Sequence, residues 1–200
     1  MPDHEYSAFG VRICKNSHKE IRRIRRDSGA PAIHGNKLWR ASFLLMDYLE
    51  ESGLEPGMRV LELGCGYGLA GVYCAKKYGA EVVALDADAA VLPYAELHAE
   101  LNGVEISTWN TRYEKLRAVD FEDFDLVLGA DICFWDQMSQ LLYNLIRRAQ
   151  RNGPTSVLMA DPGRPPFREM AERAEAKLGA EYFDWYVNHP WNASGVMLAL

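Results

Sequence analysis

The chain has 200 residues, 48% of them apolar, enough for one domain with a buried core, and its formal charge of −6 argues against a protein that coats nucleic acid. No run approaches the roughly 18 to 20 apolar residues of a membrane span, and the opening MPDHEYSAFG lacks the apolar stretch of a secretory leader, so a soluble, unprocessed, cytoplasmic protein is expected. Cys14, Cys65, Cys74 and Cys133 are scattered, with no C-x-x-C pair and no plausible set of His companions, so neither a disulfide framework nor a metal site is expected.

In chain order, residues 1–36 read as a basic extension packing on or leading into a domain at 37–200. Residues 1–40 hold nine Lys/Arg against four Asp/Glu, a net of +5 that leaves −11 for the rest. The stretch KEIRRIRRD is either an arm that steers an acidic partner or solvated charge beside Ile21 and Ile24, the plainer reading. His34, alone in a loop, could meet a substrate, although lone loop histidines usually do not. A helix is expected over 43–53, where apolar residues recur at helical spacing and a glycine ends the run. Strands are expected at 59–64, 81–86, 104–109, 124–131 and 155–161, with helices between them. This alternation specifies a parallel sheet covered on both faces. The end differs: strands at 180–187 and 195–200 are joined by NHPWNAS, too short for a helical crossover, so they pair antiparallel or lie apart.

The stretch VLELGCGYGLAG, from 60 to 71, is a strand that breaks into glycines and opens a helix. Glycines tolerate positive φ and let a ligand approach bare backbone, and the helix start offers free N–H groups to an anion. Asp86 ends the next strand 22 residues after Gly64, where a carboxylate can accept bonds from both ribose hydroxyls. Such a pair of sites grips a nucleoside. Glu62 would brace the loop or meet a ligand's ammonium. GYGLAG also satisfies the dinucleotide pattern G-x-G-x-x-G, with Asp86 20 residues beyond Gly66, so NAD is the rival ligand. Tyr73 and Lys77 show the Y-x-x-x-K spacing of short-chain reductases but lie on the wrong helix. Cys65 would offer its backbone to a ligand, with its thiol a small filler.

A parallel α/β sheet closed by a C-terminal antiparallel hairpin, with ELGCGYG at the first turn, resembles the class I methyltransferases over roughly residues 36–200. The resemblance implies a Rossmann-like seven-stranded sheet in the order 3-2-1-4-5-7-6, strand 7 antiparallel, with S-adenosylmethionine as donor and S-adenosylhomocysteine as product. Asp131 and Phe134, in GADICFWDQM, form a D-x-x-F pattern similar to the D/E-x-x-Y/F motif of the seven-β-strand protein lysine methyltransferases. LWRASFLLMDYL is similar to that family's Trp-containing lead-in, with Arg40 where proline is frequent, and DPGRPPF resembles the electron-transfer-flavoprotein lysine methyltransferases. The resemblance therefore implies cofactor contacts at Trp39, Glu62, Gly64, Cys65, Gly66, Gly68, Asp86, Ala87, Trp109 and Ala130, and catalytic roles for Asp131 and Phe134.

A protein lysine is thus the expected acceptor, with a small-molecule amine or another acceptor as the alternative, or a domain that binds the donor without turnover. An acidic protein substrate would suit the basic segment. The N/D-P-P-Y/F/W motif of base-amine methylation is missing after the fourth strand, so a nucleic-acid substrate is not expected. Plainer readings stand beside these: Phe134 and Trp135 as core, and Asp131 as N-cap of a helix starting near Gln137 if the loop folds back.

Overall fold

The computed structural model describes residues 4–29, 37–151 and 155–200. His34 lies outside them. The chain opens with an antiparallel hairpin of β1 (Glu5–Ala8) and β2 (Val11–Cys14), followed by helix α1 (Lys19–Asp27). Helix α2 (Ala41–Ser52) leads to β3 (Arg59–Leu63), α3 (Leu69–Tyr78), β4 (Glu81–Asp86), α4 (Leu92–Asn102) and β5 (Ser107–Asn110). Two short 3₁₀ turns precede β6 (Leu126–Ala130), α5 (Asp136–Ala149), β7 (Ser156–Asp161), α6 (Pro165–Leu178), β8 (Glu181–Val187) and β9 (Ala193–Ala199).

Seven strands form one sheet in the order β5-β4-β3-β6-β7-β9-β8, parallel except for β9, which runs antiparallel to both neighbours. Counted from β3, this is the expected order 3-2-1-4-5-7-6. Alternation along the strands splits the core in two. Val60, Leu126 and Leu128 join the cluster under α2 and α3, whereas Leu61, Leu63 and Val127 face Leu142, Ile146 and Met170 of α5 and α6. Buried on both faces, β3 and β6 read as nearly continuous apolar runs.

Two expectations need correction. The strand sought at 104–109 occupies Ser107–Asn110, because the Val104 amide still donates to the Ala99 carbonyl and completes the end of α4. The N-terminal segment also carries a hairpin that its charge pattern hid. Arg12 and Asn102 exchange hydrogen bonds through the Arg12 main chain at 2.8 and 2.9 Å, fastening β2 to the end of α4. The buried His98 ring donates from Nδ1 to the Tyr94 carbonyl at 2.7 Å and accepts at Nε2 from the Cys14 amide at 3.2 Å. Helix α1 buries Ile21 and Ile24 and exposes Arg22, Arg23, Arg25 and Arg26. Among the described residues no helix is long and apolar enough to cross a membrane.

Candidate functional site

The site lies at the carboxyl ends of the central parallel strands, where their following loops converge. After β3 the chain turns through Gly64, Gly66 and Gly68, all at positive φ (55°, 55° and 67°), a region costly for any residue with a Cβ. The Cys65 amide donates to the Leu85 carbonyl at 3.0 Å and the Gly68 amide to the Cys65 carbonyl at 2.7 Å, so the turn is pinned to β4 and closed on itself. The Val72 amide donates to the Gly68 carbonyl at 2.8 Å, starting α3 directly from the bend.

Asp86 faces this turn from the end of β4. Its Oδ2 accepts from the Gly66 amide at 3.4 Å and its Oδ1 from the Asp88 amide at 3.0 Å. Burial pushes the carboxyl above its ordinary value, and those two amides oppose the shift. Each oxygen keeps a second lone pair, so the carboxylate can accept from a ligand while it braces the loop.

Glu62 lies beneath the turn. Its Oε2 accepts from the Gly71 amide at 3.1 Å, and it is buried between β3 and α3. Burial raises its carboxyl to about 8, so the side chain holds a proton at neutral pH. Of the two roles read from the sequence, bracing is the one this geometry performs.

The opposite wall comes from β6 and its loop. Asp131 takes a φ of 60°, which Asp tolerates better than most side chains, and its amide donates to the Ala160 carbonyl at 2.8 Å. The carboxyl is buried, and burial pushes it above its ordinary value against the pull of the Arg164 guanidinium, which donates to Oδ1. It does not cap α5, whose N-cap is Trp135. Phe134 is half-buried and meets the Trp39 ring edge-on, with centroids 5.6 Å apart; Trp135 is 55% exposed and forms no part of the core.

Together these walls enclose a cleft with an empty volume of about 620 Å³, its solvent mouth included. Of the residues singled out in the sequence, Trp39, Gly64, Gly66, Asp86, Ala87, Ala130, Asp131 and Phe134 line it. Cys65 and Gly68 build the turn behind the lining, and Trp109 sits half-buried in β5, paired with Leu85. Sequence reasoning missed Leu85, Ile132, Met138 and Tyr113. Tyr113 stands in a short 3₁₀ turn with no motif to mark it, and its buried hydroxyl has no hydrogen-bond partner among the described residues. Tyr73 and Lys77 both bond Glu50 of α2, away from the cleft, which accounts for their spacing structurally.

The family model described as lysine methyltransferase matches residues 16–174. Ubiquinone biosynthesis O-methyltransferase of Hahella chejuensis is 38% identical over 84 residues, covering 42% of this chain and 35% of that one. The chain thus spans about a third of the length of the curated relatives it matches. The structure of ribosomal protein L11 methylase from Lactobacillus delbrueckii subsp. bulgaricus is similar at a TM-score of 0.59 and 21% identity, over 80% of this chain and 78% of that one. Pyrococcus abyssi tRNA (uracil-54, C5)-methyltransferase, solved in complex with S-adenosyl-L-homocysteine, is similar at 0.57 and 20% identity, over 78% of this chain and 38% of that one. At these identities the two structures establish a shared fold.

Proposed function

The chain belongs to the lysine methyltransferase family of S-adenosylmethionine-dependent enzymes, and from that membership we propose that it methylates the side-chain amine of a lysine in a protein substrate. S-adenosylmethionine supplies a methyl carbon on a positively charged sulfur: the amine lone pair forms the N–C bond, the C–S pair returns to sulfur, and S-adenosylhomocysteine leaves. The cleft fits this donor. A buried Tyr113 hydroxyl without a partner among the described residues lies in its lining, with the lone pairs of Asp86 and the side-chain-free backbone of Gly64 and Gly66. Asp86 would hold the ribose hydroxyls, Leu85 and Ala87 would flank the nucleoside, and the glycine turn would face the methionine end.

The observation that carries the acceptor is Asp131 set in the same cleft as the aromatic side chains of Phe134 and Trp39. A carboxylate orients an amine, and aromatic walls that exclude water desolvate it and so disfavour its charged form. A lysine near pKa 10.4 must lose its proton, which costs about 4.6 kcal/mol at pH 7. Holding amine and methyl in a near-attack pose contributes roughly 7 to 11 kcal/mol. An acidic substrate surface would suit the exposed arginines of α1. That helix follows directly on the segment whose Asn16 Oδ1 accepts from the Tyr67 hydroxyl of the glycine turn at 3.0 Å.

Radiolabelled methyl transfer into a cell extract, followed by hydrolysis of the protein fraction, tests this reading. Labelled methyl-lysine is expected; label confined to metabolites would favour a small-molecule acceptor. Asp131→Asn keeps a side chain that tolerates positive φ, so it should lower transfer on the order of 10²-fold while leaving donor binding within about twofold. Equal turnover in the variant would remove Asp131 from the mechanism.

A further inference from the structure

Arg164, between β7 and α6, escaped the sequence reading as a site residue and completes a charge cluster at the cleft. Its Nη1 donates both to Asp131 Oδ1 and, at 2.9 Å, to Asp161 Oδ2. The fully buried Asp161 also accepts at Oδ1 from the main-chain amides of Gly163 and Arg164, at 2.9 and 2.7 Å. Asp161 therefore grips Arg164 by backbone and side chain at once, and the guanidinium is fixed. Its Cζ stands 4.6 Å from the centre of the ring of Phe134, a residue that also lines the cleft. Asp131 Oδ2 takes no protein donor among the described residues.

Resting on the lysine reading above, we propose that Arg164 is a positioning residue that lets Asp131 orient the acceptor amine through Oδ2 without holding it as an ammonium. A carboxylate alone beside the amine would raise the amine's pKa by one to three units, which opposes nucleophilic attack. A guanidinium cannot lose its proton in this range, so its fixed positive charge, shared with Asp161, offsets part of that field and leaves desolvation in the cleft to lower the amine's pKa. The amine proton then passes to solvent before the N–C bond forms. The charged and titratable groups facing the cluster are Asp131 after β6, Asp161 at the end of β7 and Cys133 in the same loop as Asp131, with Asp136 of α5 and Glu169 of α6 beyond them. Arg168 of α6 donates from Nε to the Gly163 carbonyl and from Nη2 to Asp184 of β8, and Asp86 lines the far wall.

The test uses n-butylamine labelled with ¹³C beside nitrogen, a mimic of the lysine side chain, added to the full chain saturated with S-adenosylhomocysteine. Its bound pKa is read by NMR in wild type, Arg164→Gln and Arg164→Lys. The bound amine should titrate at least one unit below free butylamine in wild type and return to or above the free value in Arg164→Gln, with Arg164→Lys between them. At pH 7 the glutamine variant should bind the amine about tenfold more tightly, since it now accepts the ammonium. Equal bound pKa values in wild type and Arg164→Gln would overturn the proposal, as would failure of wild type to bind the amine while it still binds S-adenosylhomocysteine. A shifted amine pKa with no methyl-lysine in extract protein would leave Arg164's role standing and refute the protein acceptor instead.

Discussion

The Gly71 amide points at Glu62 Oε2 from 3.1 Å, and a Cβ on Gly71 would stand 2.6 Å from that same oxygen. The contact joins the acid of β3 to the first turn of α3 across the glycine bend. It fixes the direction in which the helix leaves the cleft, and it leaves no room for any side chain but hydrogen at position 71.

A stability signature follows from the buried acid. Burial holds the native Glu62 carboxyl at about 8, against an ordinary value of 4.5, so the folded chain keeps a proton that the unfolded chain has lost. Stability from this group is complete below about pH 4.5 and declines as pH rises to about 8, by up to roughly 5 kcal/mol. Glu62→Gln should remove that slope. Urea denaturation at intervals between pH 5 and 8.5 checks it; parallel curves for variant and wild type would mean that Glu62 is ionised in the fold.

Asp86 should govern donor affinity. Asp86→Ala removes both the proposed ribose acceptor and the braces on Gly66 and Asp88, and should weaken S-adenosylhomocysteine binding by about 10- to 100-fold, or roughly 1.4 to 2.8 kcal/mol. Asp86→Asn, which keeps one carbonyl acceptor, should lose less. Calorimetric titration with S-adenosylhomocysteine and, separately, NAD measures both variants. Binding of NAD by wild type without S-adenosylhomocysteine would overturn the donor assignment.

The N-terminal hairpin should loosen in acid. Burial lowers His98 to about 4 from 6.5, so the native ring is neutral and Nε2 is free to accept from Cys14. Below the unfolded value the unfolded chain binds the extra proton first, so stability present above about pH 6.5 is lost as pH falls toward 4, on the order of 3 kcal/mol. His98→Gln should flatten this limb. Hydrogen exchange at the Cys14 amide is the local readout, and exchange there that ignores pH after correction for intrinsic rate would refute the coupling.

The glycine turn could be found from sequence because its demands are local: a strand end, three residues at positive φ and a helix start lie within ten positions. Asp86 and Asp131 were accessible for a related reason, since each ends a strand and parallel strands deliver their carboxyl ends to one edge. Trp39 could be located only through resemblance. Tyr113 carries no spacing signal, and β5 was placed three residues early because apolar Val104 and Ile106 look like strand while the end of α4 still holds the first of them.

By itself the sequence determined the alternation of strands and helices, a final pair of strands joined too tightly for a helical crossover, and the glycine bend, because periodicity, glycine conformational freedom and connection length act over short stretches of chain. Tertiary structure alone decided that Arg164 meets Asp131, 33 positions away, at the ends of the paired strands β6 and β7. It also decided that Glu62 faces Gly71 and that His98 receives the Cys14 amide. Charge and burial at a site depend on which distant segments the sheet order makes neighbours, and no local pattern carries that information.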